Sequence, residues 1–285
     1  TPPRQHLSME GALLFRPALV LHVLRQVPVH MNTLRVPMVA AITVLLSLQA
    51  AFLIFASWQL VKGFSQPASP NRAIGALLLA SAFGNFSYLG LPVLSQTFGE
   101  WSQKVAIQFD LLASTPILFT VGIMVARYYG SSGRVMHPVV ALLQVPALWV
   151  AIAALLLSAG QVAMPAWLEQ SLSVLAAAVV PLMLLSVGMA LRWQSGWLSR
   201  LPLLLPVLLL QLLLMPLIAW GAAIGVGMPA HLLAPAVIEG AMPTMVFGLV
   251  ICDRFKLDTG LYAEAVTLTT LLSLLTLPFW LQVLT

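Results

Sequence analysis

Apolar residues run along this chain in stretches of about 20, the length that crosses a bilayer as a helix, and polar residues collect in the short gaps between them. Nine such runs are expected, near 8–26, 38–60, 73–98, 104–126, 138–160, 170–191, 201–227, 231–251 and 260–284, the first of them weakened by Glu10, Arg16 and Pro17. Two runs are interrupted at their centres. Gly84-Asn85-Phe86-Ser87-Tyr88-Leu89-Gly90-Leu91-Pro92 divides 73–98, and Glu239-Gly240-Ala241-Met242-Pro243-Thr244 divides 231–251. Proline removes a helical N–H, and backbone freed in lipid must be satisfied by protein, water or ligand, so both are predicted to be broken helices. The connections are too short for another domain. The longest runs from Lys62 to Arg72 with Gln66-Pro67-Ala68-Ser69-Pro70 as a linker, and Tyr129 to Arg134 is a second flexible joint.

Composition supports this pattern. Only 21 of 285 residues are charged, 13 basic and 8 acidic, or 7%; a soluble domain carries about a quarter. With 60% hydrophobic residues and a mean hydropathy of +0.99, water is not the solvent for most of the surface. The fold class is therefore an all-α polytopic membrane protein. The net charge of +5 does not point to nucleic acid, because the basic residues lie in the gaps and read as topology signals. Assigned to alternate sides, Arg4, Arg16, Lys62, Arg72, Arg127, Arg134, Arg192, Arg200, Arg254 and Lys256 fall on one side, ten of the thirteen; Arg25, Arg35 and Lys104 fall on the other. The positive-inside rule puts the larger group in the cytoplasm and the C-terminus outside, as in a multi-pass protein of the cell inner membrane. No signal peptide is visible near Thr1.

Few residues suggest reaction chemistry. Cys252 stands alone, which excludes an intrachain disulfide and a cysteine-rich metal site, and it reads as a small buried hydrophobe. The histidines at 6, 22, 30, 137 and 231 have no ligand spacing. No His-Glu-x-x-His, Gly-x-Ser-x-Gly or Gly-x-x-x-x-Gly-Lys motif occurs. No enzyme activity, metal or cofactor is expected.

A faint repeat organises the runs. Pro17, Arg25 and Arg35-Val36-Pro37 are matched by Pro181, Arg192 and Arg200-Leu201-Pro202. A mid-span glutamine follows in each half, Gln49 and Gln211, then a broken span, then a span with an acid in its second turn, Asp110 or Glu264. The second half holds five spans and the first only four, so the partner of 138–160 is expected before Thr1, as a missing first helix. A unit with an odd number of crossings must be inverted relative to its copy, giving a five-plus-five inverted repeat. Such transporters hold substrate near the midplane where broken helices meet.

The run Gly84-Asn85 to Leu89-Gly90-Leu91-Pro92, followed by Phe98-Gly99 and Asp110, resembles the auxin efflux carrier family of permeases. Pro181-Leu182-Met183-Leu184-Leu185-Ser186-Val187-Gly188-Met189, the segment Glu239 to Asp258, and Thr270-Leu271-Leu272-Ser273-Leu274-Leu275-Thr276-Leu277-Pro278 are similar to its second half. The resemblance covers about Leu13 to the C-terminus. It implies a fold related to bile-acid symporters and sodium/proton antiporters, with two broken helices crossing at Pro92 and Pro243 beside Gly90 and Gly240. It further implies scaffold helices in 1–34 and 127–199, a mobile transport bundle in 35–126 and 200–285, a homodimer through the scaffold, and transport of a small organic anion such as malate, malonate or an auxin-like acid. The Phe86-Ser87-Tyr88 insert is bulkier than the family's small residues, and Met242-Pro243-Thr244-Met245 lacks an extra Asn or Ser, so the substrate is not carried over.

Within this frame Asn85 is a ligand contact or a cap of the half-helix, and Ser87, Tyr88, Glu239 and Thr244 are further substrate-site candidates. Asp110, Glu239 and Glu264 are candidates for coupling to a proton or sodium; the macrodipole alone would also stabilise an acid near a helix start. An ionised Glu239 near a break would cost about 3 kcal/mol on insertion scales. Gln49 and Gln211 are expected to bond neighbouring helices, and Arg16 to reach the headgroups. Two alternatives to the carrier stand: a non-transporting membrane sensor or degenerate paralogue, and a sodium-coupled symporter of the bile-acid type.

Overall fold

The computed structural model describes residues 17–25, 31–60, 70–131, 140, 143, 145–162, 164–192 and 197–284. The start of the first predicted run, residues 62–69 and 132–134 of the two linkers, and with them Arg4, Arg16, Lys62 and Arg134 of the charge tally, lie outside the described residues. Every regular element described is helical. In chain order these are α1 (17–24), α2 (Met31–Leu60), α3 (Pro70–Ala82), a π turn (Phe86–Gly90), α4 (Leu91–Phe98), α5 (Glu100–Tyr129), α6 (Pro146–Ala159), α7 (Ala166–Ala190), α8 (Trp197–Gly225), α9 (Ala230–Gly240), α10 (Gly248–Arg254) and α11 (Thr259–Leu284).

Among the described residues five continuous helices are long and apolar enough to cross a membrane: Leu34–Ser57 within α2, then α5, α7, α8 and α11. Helix α6 is apolar but shorter. The segments 70–98 and 230–254 are divided as predicted, α3 from α4 and α9 from α10. Local sequence explains both divisions. Gly84 leaves room for the Phe86 ring, which would meet a Cβ there at 2.6 Å. At the second break Pro243 has no N–H to continue α9.

The broken helices form the interior. In α3 residues Gly75 to Ala82 are all buried, as are Pro235 to Gly240 in α9. Around them pack α2, α5, α8 and α11, while α7 lies against the π turn and α4. The long helices turn apolar side chains outward, among them Leu53, Met124, Leu156, Val174, Ile224 and Leu275, each more than half exposed. A surface of this kind suits lipid.

Contacts between helix ends agree with the alternation of charge. Arg25 pairs with Glu169 at 2.6 Å, Arg35 donates to the Gly227 carbonyl, and the Trp101 and His231 rings lie 6.1 Å apart. At the opposite ends Arg72 donates to Ser131 Oγ at 3.2 Å, the Ser131 N–H to the Phe255 carbonyl at 3.1 Å, and Arg200 meets Glu264 at 3.3 Å. Each contact joins ends that the sequence placed on one side.

Candidate functional site

The two breaks meet each other. Gly84 lies opposite Thr244 in an isolated antiparallel bridge, closed by the Asn85 N–H donating to the Pro243 carbonyl at 2.7 Å and the Met245 N–H donating to the Phe83 carbonyl at 3.0 Å. This register uses only the carbonyl of Pro243, so its missing N–H leaves no gap in the pairing. Side chains complete the backbone accounting. Gln211 Nε2 donates to the Met242 carbonyl at 2.8 Å, the Tyr262 hydroxyl to the Met245 carbonyl at 3.0 Å, and the Thr244 N–H to Thr269 Oγ1 at 3.1 Å.

The chain resumes from the first break through the π turn, a wide helical form common at functional sites. The Asn85 carbonyl accepts the N–H groups of Leu89 and Gly90 at 3.1 and 3.0 Å. Its side chain caps nothing: Asn85 is 2% exposed and Nδ2 has no partner among the described residues. Ser87, two residues on, donates to Asp110 Oδ2, and Thr115 Oγ1 donates to Oδ1 at 3.0 Å. Asp110, itself the start of a π segment in α5, is thus served by two hydroxyls.

From the second broken helix comes Glu239, next to last in α9 and fully buried, with neither carboxyl oxygen hydrogen-bonded among the described residues. It rests on the backbone of Gly90, where a Cβ would lie 2.5 Å from both oxygens. Gly90 therefore admits the carboxyl. Gly240 does the same for α8, since a Cβ there would lie 2.7 Å from that of Ala219.

The predicted site residues sort into three groups. The fold brings Asn85, Ser87, Gly90, Asp110 and Glu239 around one π turn, with Tyr88 buried in it. Thr244 and Pro243 are at the meeting of the breaks, but the Thr244 hydroxyl already donates to the Ala80 carbonyl at 2.8 Å. Pro92 is the second residue of α4, eight positions beyond Gly84, and takes no part in the backbone pairing. Glu264 pairs with Arg200 at a helix end. Nor do Asp110 and Glu264 occupy matching turns. Helix α5 begins four residues earlier than predicted, in a 3-10 turn after Gly99, so Asp110 lies roughly 15 Å along its helix and Glu264, sixth in α11, roughly 8 Å.

Sequence reasoning undervalued Gln211. It bonds a neighbouring segment as expected, yet that segment is the second break, its Oε1 has no partner among the described residues, and it lies 3.0 Å from the place a Gly84 Cβ would take. The matched Gln49 is exposed on α2. Thr115 and Thr269, both buried, went unnoticed because threonine in an apolar helix is common and carries no spacing signal.

The profile of the membrane transport protein family matches residues 4–281. An uncharacterized transporter of Methanothermobacter thermautotrophicus is 29% identical over 207 residues, 72% of this chain and 66% of that relative. Another uncharacterized transporter, from Methanocaldococcus jannaschii, is 27% identical over 221 residues, 74% of this chain and 68% of the relative. The match thus spans about two thirds of each relative's length. With its family profile covering nearly the whole chain and its helices apolar and membrane-long, this multi-pass protein belongs to the membrane transport protein family, the auxin efflux carrier family that its motifs resemble.

Proposed function

We propose that this chain is a secondary carrier of a small organic anion, a carboxylate such as malate, malonate or an auxin-like acid, working by alternating access. The observation that carries the reading is the pairing of two broken helices through Gly84 and Thr244, with the buried Asn85 Nδ2 beside it lacking a hydrogen-bond partner among the described residues. An unpartnered buried donor is costly unless something accepts from it, and a carboxylate oxygen does so in a charge-assisted bond. The order helix, break, half-helix, long helix occurs twice, as α3–α4–α5 and α9–α10–α11, with the breaks antiparallel. That is the relation expected of an inverted five-plus-five repeat with nine spans in this chain.

In this mechanism a bundle built on 35–126 and 200–285 moves against a scaffold of 1–34 and 127–199, through which two copies associate, and exposes the breaks to each side in turn. The positive-inside rule orients the carrier in the cell membrane with Arg72, Arg200 and Arg254 cytoplasmic and the C-terminus outside. Uptake of labelled malate, malonate and indole acetate by proteoliposomes tests the reading. Asn85→Ala is expected to cut uptake by about tenfold to a hundredfold, the equivalent of one hydrogen bond to a charged group. Equal uptake by the variant would sink Asn85 as the contact.

A sodium-coupled symporter is the second reading, favoured by the Gln211 acceptor Oε1, which has no hydrogen-bond partner among the described residues. Replacing sodium by choline in the same assay decides it.

A further inference from the structure

The anion reading leaves the Glu239 carboxyl without a task, although it is fully buried and unpartnered among the described residues. Its position opposes charge, because Glu239 is at the carbonyl end of α9, where the helix dipole is negative. No base on the surrounding elements relieves it. Helix α2 brings Arg35, which is engaged at Gly227, and the start of α5 brings Lys104, which lies over the Trp101 ring. Helix α11 brings Tyr262 and Glu264, bound to the Met245 carbonyl and to Arg200. The π turn brings Tyr88, α9 itself has His231 at its far end, and neither α4 nor residues 215–225 of α8 carry a titratable group. Asp110 of α5, held to the same π turn by Ser87, adds a second acid. No group of three or more His, Cys, Asp or Glu able to hold a metal ion occurs among the described residues. A buried carboxyl so placed is strongly disfavoured as an anion.

We infer that Glu239 is a proton-binding site, loaded while the π turn is packed on α9 and unloaded when it moves away, and that one proton crosses with each carboxylate. Only the second half of this inference rests on the transport reading above. Gly90 is the lid: its backbone covers both carboxyl oxygens at a distance no side chain would permit. As the bundle opens to one side, a local shift of the π turn from α9, both of them within the bundle, lets the carboxyl meet water and give up its proton; on the other side it takes one from water. The same turn starts at Asn85, whose carbonyl holds the Gly90 N–H. An anion at Asn85 and a carboxylate at Glu239 would stand one turn apart and repel, whereas an anion and a protonated acid do not. Proton and substrate therefore travel together.

Infrared spectra of the purified chain in lipid vesicles at neutral pH are expected to contain a protonated carboxyl band that disappears in Glu239→Gln and persists in Glu264→Gln. Should Glu239→Gln fail to fold, Glu239→Asp assigns the band by moving it. In vesicles with the membrane potential clamped at zero by potassium and valinomycin, an acid exterior of one pH unit is expected to drive about tenfold accumulation of labelled malonate, the ratio for one proton per anion. Glu239→Gln should lose that accumulation. A spectrum without the band, or a band that survives Glu239→Gln, overturns the proton site. Accumulation indifferent to the pH gradient, or following sodium instead, overturns the coupling. A band assigned to Glu239 with no uptake of malonate, malate or indole acetate upholds the proton site and sinks the transport reading instead.

Discussion

At the first break three residues leave the helix, Phe83 to Asn85; at the second seven do, Ala241 to Phe247. The short break turns back at once into a π turn, and the Asn85 amide within it stays unengaged. The long break runs between two turns through the bridge at Thr244, and its polar groups are taken up by neighbours: the Thr244 hydroxyl by Ala80, its N–H by Thr269, the Met242 and Met245 carbonyls by Gln211 and Tyr262. Just before this break the Glu239 carboxyl has no hydrogen-bond partner among the described residues. Two elements in matching places along the chain thus contribute opposite chemistry, a donor from one and an acid from the other. The difference teaches that a break is not a site by itself. Its length decides how much of the freed backbone neighbouring side chains must satisfy, and so which polar atoms remain for a ligand or proton.

Substitutions can break or sharpen this contrast. The largest effect on folding is expected from Gly90→Ala, because the new Cβ would lie 2.5 Å from both Glu239 oxygens. Overpacking of this kind costs about 1–3 kcal/mol, seen as a lower melting temperature in detergent. Adding Glu239→Ala should recover most of the loss; simple additivity of the two would show that carboxyl and turn are not in contact. Thr244→Val removes the bond to Ala80 while keeping the side chain's shape, and should cost about 1 kcal/mol in the same melt. Asn85→Ala removes no hydrogen bond of Nδ2 among the described residues, so its melt is expected within about 1 kcal/mol of the parent even where uptake collapses. A large loss of stability would instead make Asn85 structural. The smallest effect belongs far from both breaks: Arg25→Gln should cost under about 0.5 kcal/mol and fade with added salt, since Glu169 is 45% exposed.

Much of this arrangement is legible in the chain. The Gly, Pro and polar clusters at 84–92 and 239–244 have no place in an unbroken apolar helix, so the divisions of α3 from α4 and α9 from α10 could be read directly. Asn85 and Glu239 stood out for the same reason, as polar groups where lipid tolerates few. The meeting point was less legible. The family resemblance implied a crossing at Pro92 and Pro243, yet Pro92 is the second residue of α4, where proline is only a comfortable helix start. The contact falls instead where Gly84 has no side chain to hold the two backbones apart. Gln211 was visible as a polar residue in a leucine run, but its role depends on which segment passes beside α8.

By itself the sequence determined that the chain is helical, lives in a membrane, and interrupts two of its helices, because the length of apolar runs and the backbone chemistry of glycine and proline are local properties. It also sorted the helix ends into two sides, since charge is excluded from the bilayer interior. The tertiary structure decided what those interruptions do to each other: that Gly84 pairs with Thr244, that the Glu239 carboxyl rests on Gly90, and that Ser87 reaches Asp110. These contacts join residues tens to more than a hundred positions apart. They follow from packing complementarity between elements, which no single stretch of sequence contains.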